Sequence, residues 1–327
     1  MLFRKEATCN AEGIVTKLII QIPCYNEELS IGQTLSDLPK EIESIDEIEV
    51  LVIDDGSTDR SAEIALKHGA RVVSLNHNKG LANAFRIGLK ECLNSGADII
   101  VNTDADNQYN GADINKLVNP ILNGEADIVV GARDISNIKN FSFIKKLLQK
   151  FGSAVLRLLS STDVQDAPSG FRAISRDSAL KLNIFDNYTY TMEMLVQAGA
   201  KGMRVLSVPV RVNPTERKSK LVKSIFSYVC RSMKTIIRMF IVYRPFRFFI
   251  TISATLGIIG LLLVFRFLHY YISGFGNGHV QSLILSAVFL ISAVQIAIVA
   301  IAGDLISINR KLLEDIQKRV KEIEYRR

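Results

Sequence analysis

Val101-Asn102-Thr103-Asp104-Ala105-Asp106-Asn107-Gln108 is the stretch around which this chain is organised. The apolar residues Ile99 to Val101 predict a buried strand, after which come two carboxylates spaced i, i+2 and the amide oxygen of Gln108. In an open α/β sheet the ligand crevice lies at the carboxyl ends of the strands. Oxygen ligands at such an end suit Mg²⁺ or Mn²⁺ that also binds a substrate's phosphates. Alone, the pattern is weak evidence for a metal and is more typical of a turn followed by a helix cap.

Five apolar runs predict the strands of a sheet, and helical patterns separate them. The runs are Lys17–Ile22, Glu49–Ile53, Arg71–Leu75, Ile99–Val101 and Asp127–Val130. Strands that are apolar throughout and alternate with helices indicate an α/β domain with a mainly parallel sheet covered on both faces.

Polar clusters follow several of these strands: Tyr25-Asn26-Glu27, Asp54-Asp55, Asp104-x-Asp106 and Arg133. Because the carboxyl ends of parallel strands lie along one edge, the clusters should converge into a single site. The chain has neither the glycine-rich dinucleotide fingerprint after its first strand nor a phosphate-binding P-loop, which argues against dehydrogenases and P-loop ATPases. The pattern favours a phosphate-bearing substrate held by a metal ion.

Composition indicates a soluble domain joined to very apolar segments. The 327 residues include 22% charged side chains and carry a net charge of +7, yet the mean hydropathy is +0.20. Four scattered cysteines without metal-type spacing are typical of reduced thiols in a cytosol-facing protein. Met1 to Gly13 lacks the apolar core of a signal peptide. Basic clusters beside apolar segments favour anionic lipid, and we expect no nucleic-acid partner.

An ordered set of motifs carries a family resemblance that extends over about two-thirds of the chain. The set is Pro23-x-Tyr25-Asn26-Glu27, Asp54-Asp55-Gly56-Ser57-x-Asp59, Asn78-x-Gly80, Asp104-Ala105-Asp106-x-Gln108, Gly131-x-Arg133, Ser169-Gly170-Phe171-Arg172, Val208-Pro209-Val210 and Ser219-Lys220. It resembles the inverting family-2 glycosyltransferases with the GT-A fold. More narrowly, it resembles dolichol-phosphate mannose synthase and the bacterial polyprenyl-phosphate glycosyltransferases.

The resemblance implies specific roles for these residues. The first segments would bind the nucleotide-sugar donor through Pro23, Tyr25, Asn26, Glu27, Asp54, Asp55 and Gly80. Asp104, Asp106 and Gln108 would hold Mg²⁺ or Mn²⁺ on the donor pyrophosphate. Arg133, Arg172 and Lys220 are candidates to bind the acceptor phosphate. Ser169 either donates a hydrogen bond to a phosphate or only shapes its turn, and Glu193 is either an acidic site residue or a carboxylate on a helix face.

Two departures from the family pattern matter. The processive polysaccharide synthases of the wider family carry a Gln-x-x-Arg-Trp motif, whereas this chain has no tryptophan. Its absence argues against polymer synthesis. The segment before Ser219 reads Pro214-Thr215-Glu216-Arg217-Lys218, where the family often has glycine.

The last third of the chain predicts membrane attachment. Residues 217–245 read as a basic amphipathic helix that lies in the membrane interface or, alternatively, packs in a core. Phe248–Phe265 and Val280–Gly303 are uncharged and about long enough to span a bilayer. Basic residues precede the first of these stretches and follow the second, so the positive-inside rule places both termini in the cytosol.

These patterns divide the chain into four parts. We expect a cytosolic catalytic domain over 1–216, the interface helix over 217–245, two transmembrane helices over 246–303 and a charged cytosolic helix over 304–327. We also expect a homo-oligomer in the cytoplasmic membrane.

The predicted activity is transfer of one sugar from a nucleotide-sugar to a polyprenyl phosphate. The resemblance favours glucose, UDP-glucose and undecaprenyl phosphate, with inversion at the anomeric carbon. A GDP-mannose:dolichyl-phosphate enzyme and a catalytically silent membrane scaffold are the alternatives.

Overall fold

The computed structural model describes residues 15–133, 164–184, 190–213, 237–238, 240–274 and 280–325. The chain divides into two compact units, one formed by Met1–Leu221 with Glu322–Arg327 and the other by Val222–Lys321. The four-part division given above stays a prediction.

A seven-stranded sheet forms the centre of the first unit, in the order β3-β2-β1-β4-β6-β5-β7. Its strands are β1 (Lys17–Cys24), β2 (Glu47–Asp54), β3 (Arg71–Ser74), β4 (Ile99–Asn102), β5 (Ile128–Arg133), β6 (Arg172–Ser175) and β7 (Val205–Val210). The five strands predicted from apolar runs are therefore confirmed, and the sheet is mainly parallel. We did not predict β6 or β7, because β6 is a single short run after a turn and β7 is only partly buried.

Helices connect the parallel strands. They are α1 (Ile31–Ser36), α2 (Ser61–Lys67), α3 (Leu81–Asn94), α4 (Ile114–Leu122), α5 (Arg176–Lys181) and α6 (Tyr190–Ala200), with a 3₁₀ turn at Gly111–Asp113. One face of α3 is buried and includes Phe85 and Leu89. β4 is buried along its whole length, as expected for a strand covered on both faces.

β6 is antiparallel to both of its neighbours, β4 and β5. Arg172, its first residue, therefore pairs with Asn102, the last residue of β4. The turn that precedes β6 thus lies at the edge where β1, β2, β4 and β5 end. This reversal brings the Ser169-Gly170-Phe171 motif beside the Asp104 loop.

The second unit contains two long helices, α7 (Pro245–Ile272) and α8 (Val280–Glu324). Both are long and apolar enough to cross a membrane by length and composition. We expected a separate charged helix over 304–327, but α8 runs without a break for 45 residues to Glu324. No proline or glycine lies between Asp304 and Glu324 to end it.

Small residues hold α7 and α8 together. The Ser253 hydroxyl donates to the Ala293 carbonyl at 2.7 Å, and a Cβ on Gly260 would lie 2.9 Å from Leu290 Cγ. Close approach through small residues is typical of helices that pack within a bilayer. Most of the predicted interface helix over 217–245 lies outside the described residues.

Candidate active site

The Asp104 loop is a tight turn at the carboxyl end of β4. The Asp106 carboxylate accepts from the Gln108 backbone N–H at 3.1 Å, and Asn107 adopts a positive φ of 53°, which asparagine tolerates better than most residues. Asp104 is half-buried and Asp106 is exposed. The two carboxylates thus lie side by side between a buried strand and solvent.

Glycine at position 170 leaves room for the Asp104 carboxylate. A Cβ there would lie 2.8 Å from Asp104 Oδ1 and 3.0 Å from Oδ2. The Gly170 carbonyl accepts from Asn102 Nδ2 at 2.8 Å, and Asn102 in turn accepts from Gln21 Nε2 at 3.0 Å. This buried amide chain fixes the turn before β6 against the carboxylate.

The electrostatics of the loop favour a bound cation. Burial and, to a smaller extent, the neighbouring charge of Asp106 raise the pKa of Asp104 to about 7, although Arg133 and Arg172 act in the opposite direction. Burial also raises the pKa of Asp106, and Glu27 adds to that effect. Carboxylates that are difficult to ionise together are stabilised by a nearby positive charge.

The oxygen atoms of this loop fit a divalent metal whose remaining ligands come from the substrate. Within the described ranges, no group of three or more His, Cys, Asp or Glu side chains could hold a metal on its own. Mg²⁺ is usually bound through one or two carboxylates together with substrate phosphates. Asp104 and Asp106 offer such a pair, with the Gln108 amide on the same loop.

Arg133, at the end of β5, is held by a carboxylate that sequence reasoning missed. Asp166 is fully buried and accepts from Arg133 Nε at 2.7 Å and from Nη2 at 3.1 Å. The backbone N–H of Arg133 reaches the same carboxylate at 3.3 Å. The arginine side chain keeps 13% of its surface exposed, so its remaining N–H groups can face a ligand. Asp166 lies three residues before the Ser169-Gly170-Phe171-Arg172 motif, and an acidic residue so close to that motif was the available signal.

Every hydrogen bond that the described residues show for Arg172 goes to a backbone carbonyl, and its predicted contact with the acceptor phosphate stays a prediction. Its guanidinium is fully buried and donates to the backbone carbonyls of Ala167, Ser169 and Thr191. Burial lowers the pKa of Arg172 to about 10. Its contacts join the turn before β6 to the start of α6, so its role in this structure is to hold that turn.

Ser169 is also fully buried, and its hydroxyl lies 3.3 Å from the Tyr109 hydroxyl. The Tyr109 ring stacks on Phe171 at 4.9 Å between centroids, and the Arg133 guanidinium carbon lies 5.9 Å from the Tyr109 centroid. This aromatic pair links the Asp104 loop to the turn before β6. Sequence reasoning missed Tyr109, which lies one residue after the metal motif.

The predicted donor-binding segments meet at the same edge of the sheet. Two of their carboxylates accept hydrogen bonds from backbone N–H groups of the loops. Asp55 is buried and accepts from the backbone N–H groups of Lys79 and Gly80, each at 2.8 Å. Asp54 accepts from the Ser57 backbone N–H at 2.9 Å. Both residues therefore shape the loops after β2 and β3 in this structure, Asp55 through both of its carboxylate oxygens and Asp54 through one.

The loop after β1 packs against the loop after β2. The Asn26 side chain accepts from the Thr58 backbone N–H at 2.8 Å, and the Ser61 hydroxyl accepts from the Glu27 N–H at 2.8 Å. Tyr25 is exposed beside them, and Pro23 stays within β1. Glu193 is buried on α6, where it accepts from Gln197. Lys220 lies outside the described residues.

A sheet of this order, with an Asp-x-Asp loop at the carboxyl edge, defines a glycosyltransferase of the GT-A class. The model for the family Glycosyl transferase family 2 matches residues 19–182, which is half of the chain. The chain belongs to this family.

Curated relatives agree with this assignment. Over 218 residues the chain is 31% identical to the UDP-N-acetylglucosamine–dolichyl-phosphate N-acetylglucosaminyltransferase of Methanococcus voltae, and the match covers 60% of this chain and 85% of that protein. Over 205 residues it is 27% identical to the undecaprenyl-phosphate mannosyltransferase of Micrococcus luteus, with coverages of 59% and 82%.

Solved structures support the fold alone. Glucosyl-3-phosphoglycerate synthase from Mycobacterium tuberculosis, in complex with Mn²⁺, UDP and glucosyl-3-phosphoglycerate, has a TM-score of 0.52 to this chain. That similarity covers 69% of this chain and 79% of the other at 20% sequence identity.

Proposed function

We propose that this protein transfers a single sugar from a nucleotide-sugar to a polyprenyl phosphate at the cytoplasmic face of a membrane. The observation that carries the proposal is that the Arg133 guanidinium lies close enough to the Asp104 and Asp106 carboxyls to lower the pKa of both. Such a site offers cation-binding oxygens for one phosphate group and a fork of N–H donors for another. Two helices that can span a membrane belong to the same chain.

Asp104, Asp106 and Gln108 would hold Mg²⁺ or Mn²⁺ on the donor pyrophosphate. When bound, the ion would neutralise the departing nucleoside diphosphate as a Lewis acid. Tyr25, Asn26 and Glu27 lie on the exposed loop where the nucleotide would bind, and Asp54, Asp55 and Gly80 would support that pocket through the loops that they fix.

The acceptor phosphate needs little activation. A phosphate monoester has a second pKa near 6, so it is already largely an anionic nucleophile at neutral pH. Arg133 would orient it for in-line attack, with Lys220 as a further candidate. A new bond forms between the anomeric carbon and a phosphate oxygen while the bond to the nucleoside diphosphate breaks, which inverts the anomeric configuration.

Glucose from UDP-glucose and undecaprenyl phosphate are the substrates that we propose first. The relatives carry names with two other sugars, N-acetylglucosamine and mannose, so transfer of mannose from GDP-mannose to dolichyl phosphate is the second candidate. We further propose that α7 and α8 span the cytoplasmic membrane with both termini in the cytosol, that the segment over 217–245 lies in the interface, and that the protein self-associates.

A direct assay tests this function. Purified full-length protein is mixed with undecaprenyl phosphate, Mg²⁺ or Mn²⁺ and a panel of labelled UDP- and GDP-sugars. We expect label from one donor to enter the organic phase and EDTA to abolish transfer. If folded protein transfers no donor, the proposed reaction is wrong; if transfer survives EDTA, the metal assignment is wrong.

Asp106→Asn distinguishes an enzyme from a catalytically silent scaffold. Removing one charge that stabilises the transition state typically costs about 10²–10³-fold in turnover. We expect a loss of that size with normal membrane insertion, whereas Asp177→Asn, on the exposed face of α5, should retain activity. A cellular phenotype that survives Asp106→Asn would favour the scaffold.

A further inference from the structure

The part of α8 after the uncharged stretch carries apolar side chains that face solvent. Five of them are between 54% and 75% exposed: Ile306, Leu313, Ile316, Val320 and Ile323. An apolar stripe of this kind on a charged helix marks a contact surface.

The spacing of the stripe is that of a coiled coil. Together with exposed Asn309, the five residues alternate in steps of three and four, as the a and d positions of three heptads do. Leu305 and Leu312 lie on the same side and widen the apolar arc to about 120°. We call the set of Ile306, Asn309, Leu313, Ile316, Val320 and Ile323 the α8 seam.

The α8 seam is separate from the side of the helix that packs within its own chain. That side carries Ser307, Arg310 and Glu314, which are buried or partly buried. The Arg310 guanidinium carbon lies 3.8 Å from the centroid of the Tyr243 ring. At 100° per residue the two sides point about 120° apart. The seam is therefore an additional surface of the helix.

Lipid cannot cover most of the α8 seam. A helix of 45 residues is about 67 Å long, whereas the hydrocarbon core is about 30 Å thick. If the uncharged stretch Val280–Gly303 fills that core, Leu313 lies about 15 Å beyond Gly303 and Ile323 lies about 30 Å beyond it. This part of the seam would be exposed to water in a single copy of the chain.

We propose that the α8 seam is a contact between copies of this chain, which pack through it as a parallel helical bundle. Copies inserted with one membrane topology run in the same direction, so a parallel arrangement is the one available to them. In a parallel bundle the g position of one helix faces the e position of the next heptad on its neighbour. One of the three such pairs is Arg319 with Glu324, which carry opposite charges; the other two are Leu305 with Arg310 and Leu312 with Gln317.

The charged pair and the seam residues suit this arrangement. Arg319 is 75% exposed and, among the described residues, pairs with Asp315 on its own helix, while Glu324 is 50% exposed beside Lys90. Leu at a with Ile at d, as in Leu313 and Ile316, favours three or four strands over two. The bundle is independent of the proposed sugar transfer.

Cysteine cross-linking in native membranes tests the contact. In full-length protein with Cys9 and Cys230 replaced by Ser, Ile316→Cys lies in the seam, and its neighbour Asp315→Cys points away from it. A disulfide requires Cα atoms within about 7 Å, so oxidation should link copies through Ile316→Cys and not through Asp315→Cys. Equal linking at both sites, no linking at Ile316→Cys, or linking to a different protein would overturn the proposal.

Charge reversal supplies a second test in the Ile316→Cys background. Arg319→Glu brings like charges together and should reduce cross-linking by ~10-fold, because like-charge contacts oppose association. Adding Glu324→Arg to Arg319→Glu should restore it. If Arg319→Glu does not reduce cross-linking, or if the double variant does not restore it, the parallel register is wrong. Label transfer to lipid, measured on the same membranes, reports separately on the proposed enzyme activity.

Discussion

At the scale of single residues, the site combines mutual repulsion with tight anchoring. The negative charges of Asp104 and Asp106 repel each other, and a bound cation would offset this repulsion. Arg133 carries the opposite charge and is fixed by Asp166, which no strand pattern identified. The orientation of Arg133 thus depends on a fully buried carboxylate.

Asp166→Asn should weaken acceptor binding more than donor binding. Asparagine keeps the shape but loses the negative charge and replaces one of the two oxygens that accept from Arg133 with an N–H donor. Hydrogen bonds to charged groups contribute about 1.5–3 kcal/mol, so we expect the KM for polyprenyl phosphate to rise about 10-fold or more. The KM for the nucleotide-sugar should stay unchanged.

Asp127→Asn is the matched control for this variant. Asp127 pairs with Arg204 through the same three kinds of contact near the other end of β5, but this pair is exposed. Exposed pairs contribute about 0–1 kcal/mol, so both KM values should remain near those of the unaltered protein. Equal rises in both KM values for Asp166→Asn would show that Asp166 has only a structural role.

At the scale of elements, contacts between loops and strand ends hold the active edge together. Asp113 lies in the 3₁₀ turn after the Asp104 loop and is buried. Its carboxylate accepts at 2.9 Å from Nη2 of Arg211, the residue just beyond β7. The Arg211 backbone N–H donates to the same carboxylate at 2.7 Å. The Asp104 loop and the end of β7 are thereby joined.

The Asp113 contact predicts a pH dependence of stability. Burial by itself raises the pKa of Asp113, but hydrogen bonds from Arg211 and Lys116 outweigh burial and lower it to about 2. A carboxyl whose pKa is lower in the folded state stabilises the fold above its unfolded pKa, and this contribution is lost as the pH falls towards the folded value. Asp113→Asn should therefore lower stability by about 1–2 kcal/mol at pH 7.

Circular dichroism melting at several pH values measures this effect. The Tm difference between the Asp113→Asn variant and the unaltered protein should be largest at pH 7 and should shrink between about pH 4 and pH 2. A difference that stays constant over this range would contradict the assignment. Asp37→Asn, on a half-buried carboxylate whose one hydrogen bond among the described residues comes from Gln33, is a suitable control.

Packing of α7 on α8 makes a second prediction at this scale. A Cβ on Gly260 would lie 2.9 Å from Leu290 Cγ and 3.3 Å from its backbone N, whereas one on Gly257 would lie 3.9 Å from Ala293 Cβ. Overpacking typically costs about 1–3 kcal/mol, so Gly260→Ala should lower the Tm in detergent and Gly257→Ala should not. Equal melting temperatures would mean that the helices are less closely packed than the structure shows.

At the scale of the whole molecule, charge and hydropathy are unevenly divided along the chain. The first unit carries the carboxylate-lined edge, and the second carries the two long apolar helices. This division is what a water-soluble donor and a lipid acceptor would require of one enzyme.

Labelling of introduced cysteines tests the proposed topology. We expect Ser273→Cys, at the end of α7, to react with a membrane-impermeant maleimide in intact cells. Asp315→Cys should react only after the membrane is made permeable. The reverse pattern would place the catalytic unit outside the cell and would refute the positive-inside assignment.

The sequence by itself determined the parallel part of the sheet, the Asp104 loop and the two long apolar helices. These features depend on local periodicity and on the chemistry of adjacent residues, which a linear pattern contains. The tertiary structure decided what the polar residues of the site contact. Arg172 matched a phosphate-binding position in sequence, yet the antiparallel β6 buries its guanidinium among carbonyls, and Asp166 lies far from Arg133 in the chain but beside it in space. Such pairings arise from strand order and direction, because residues distant in sequence become neighbours only when the sheet has assembled.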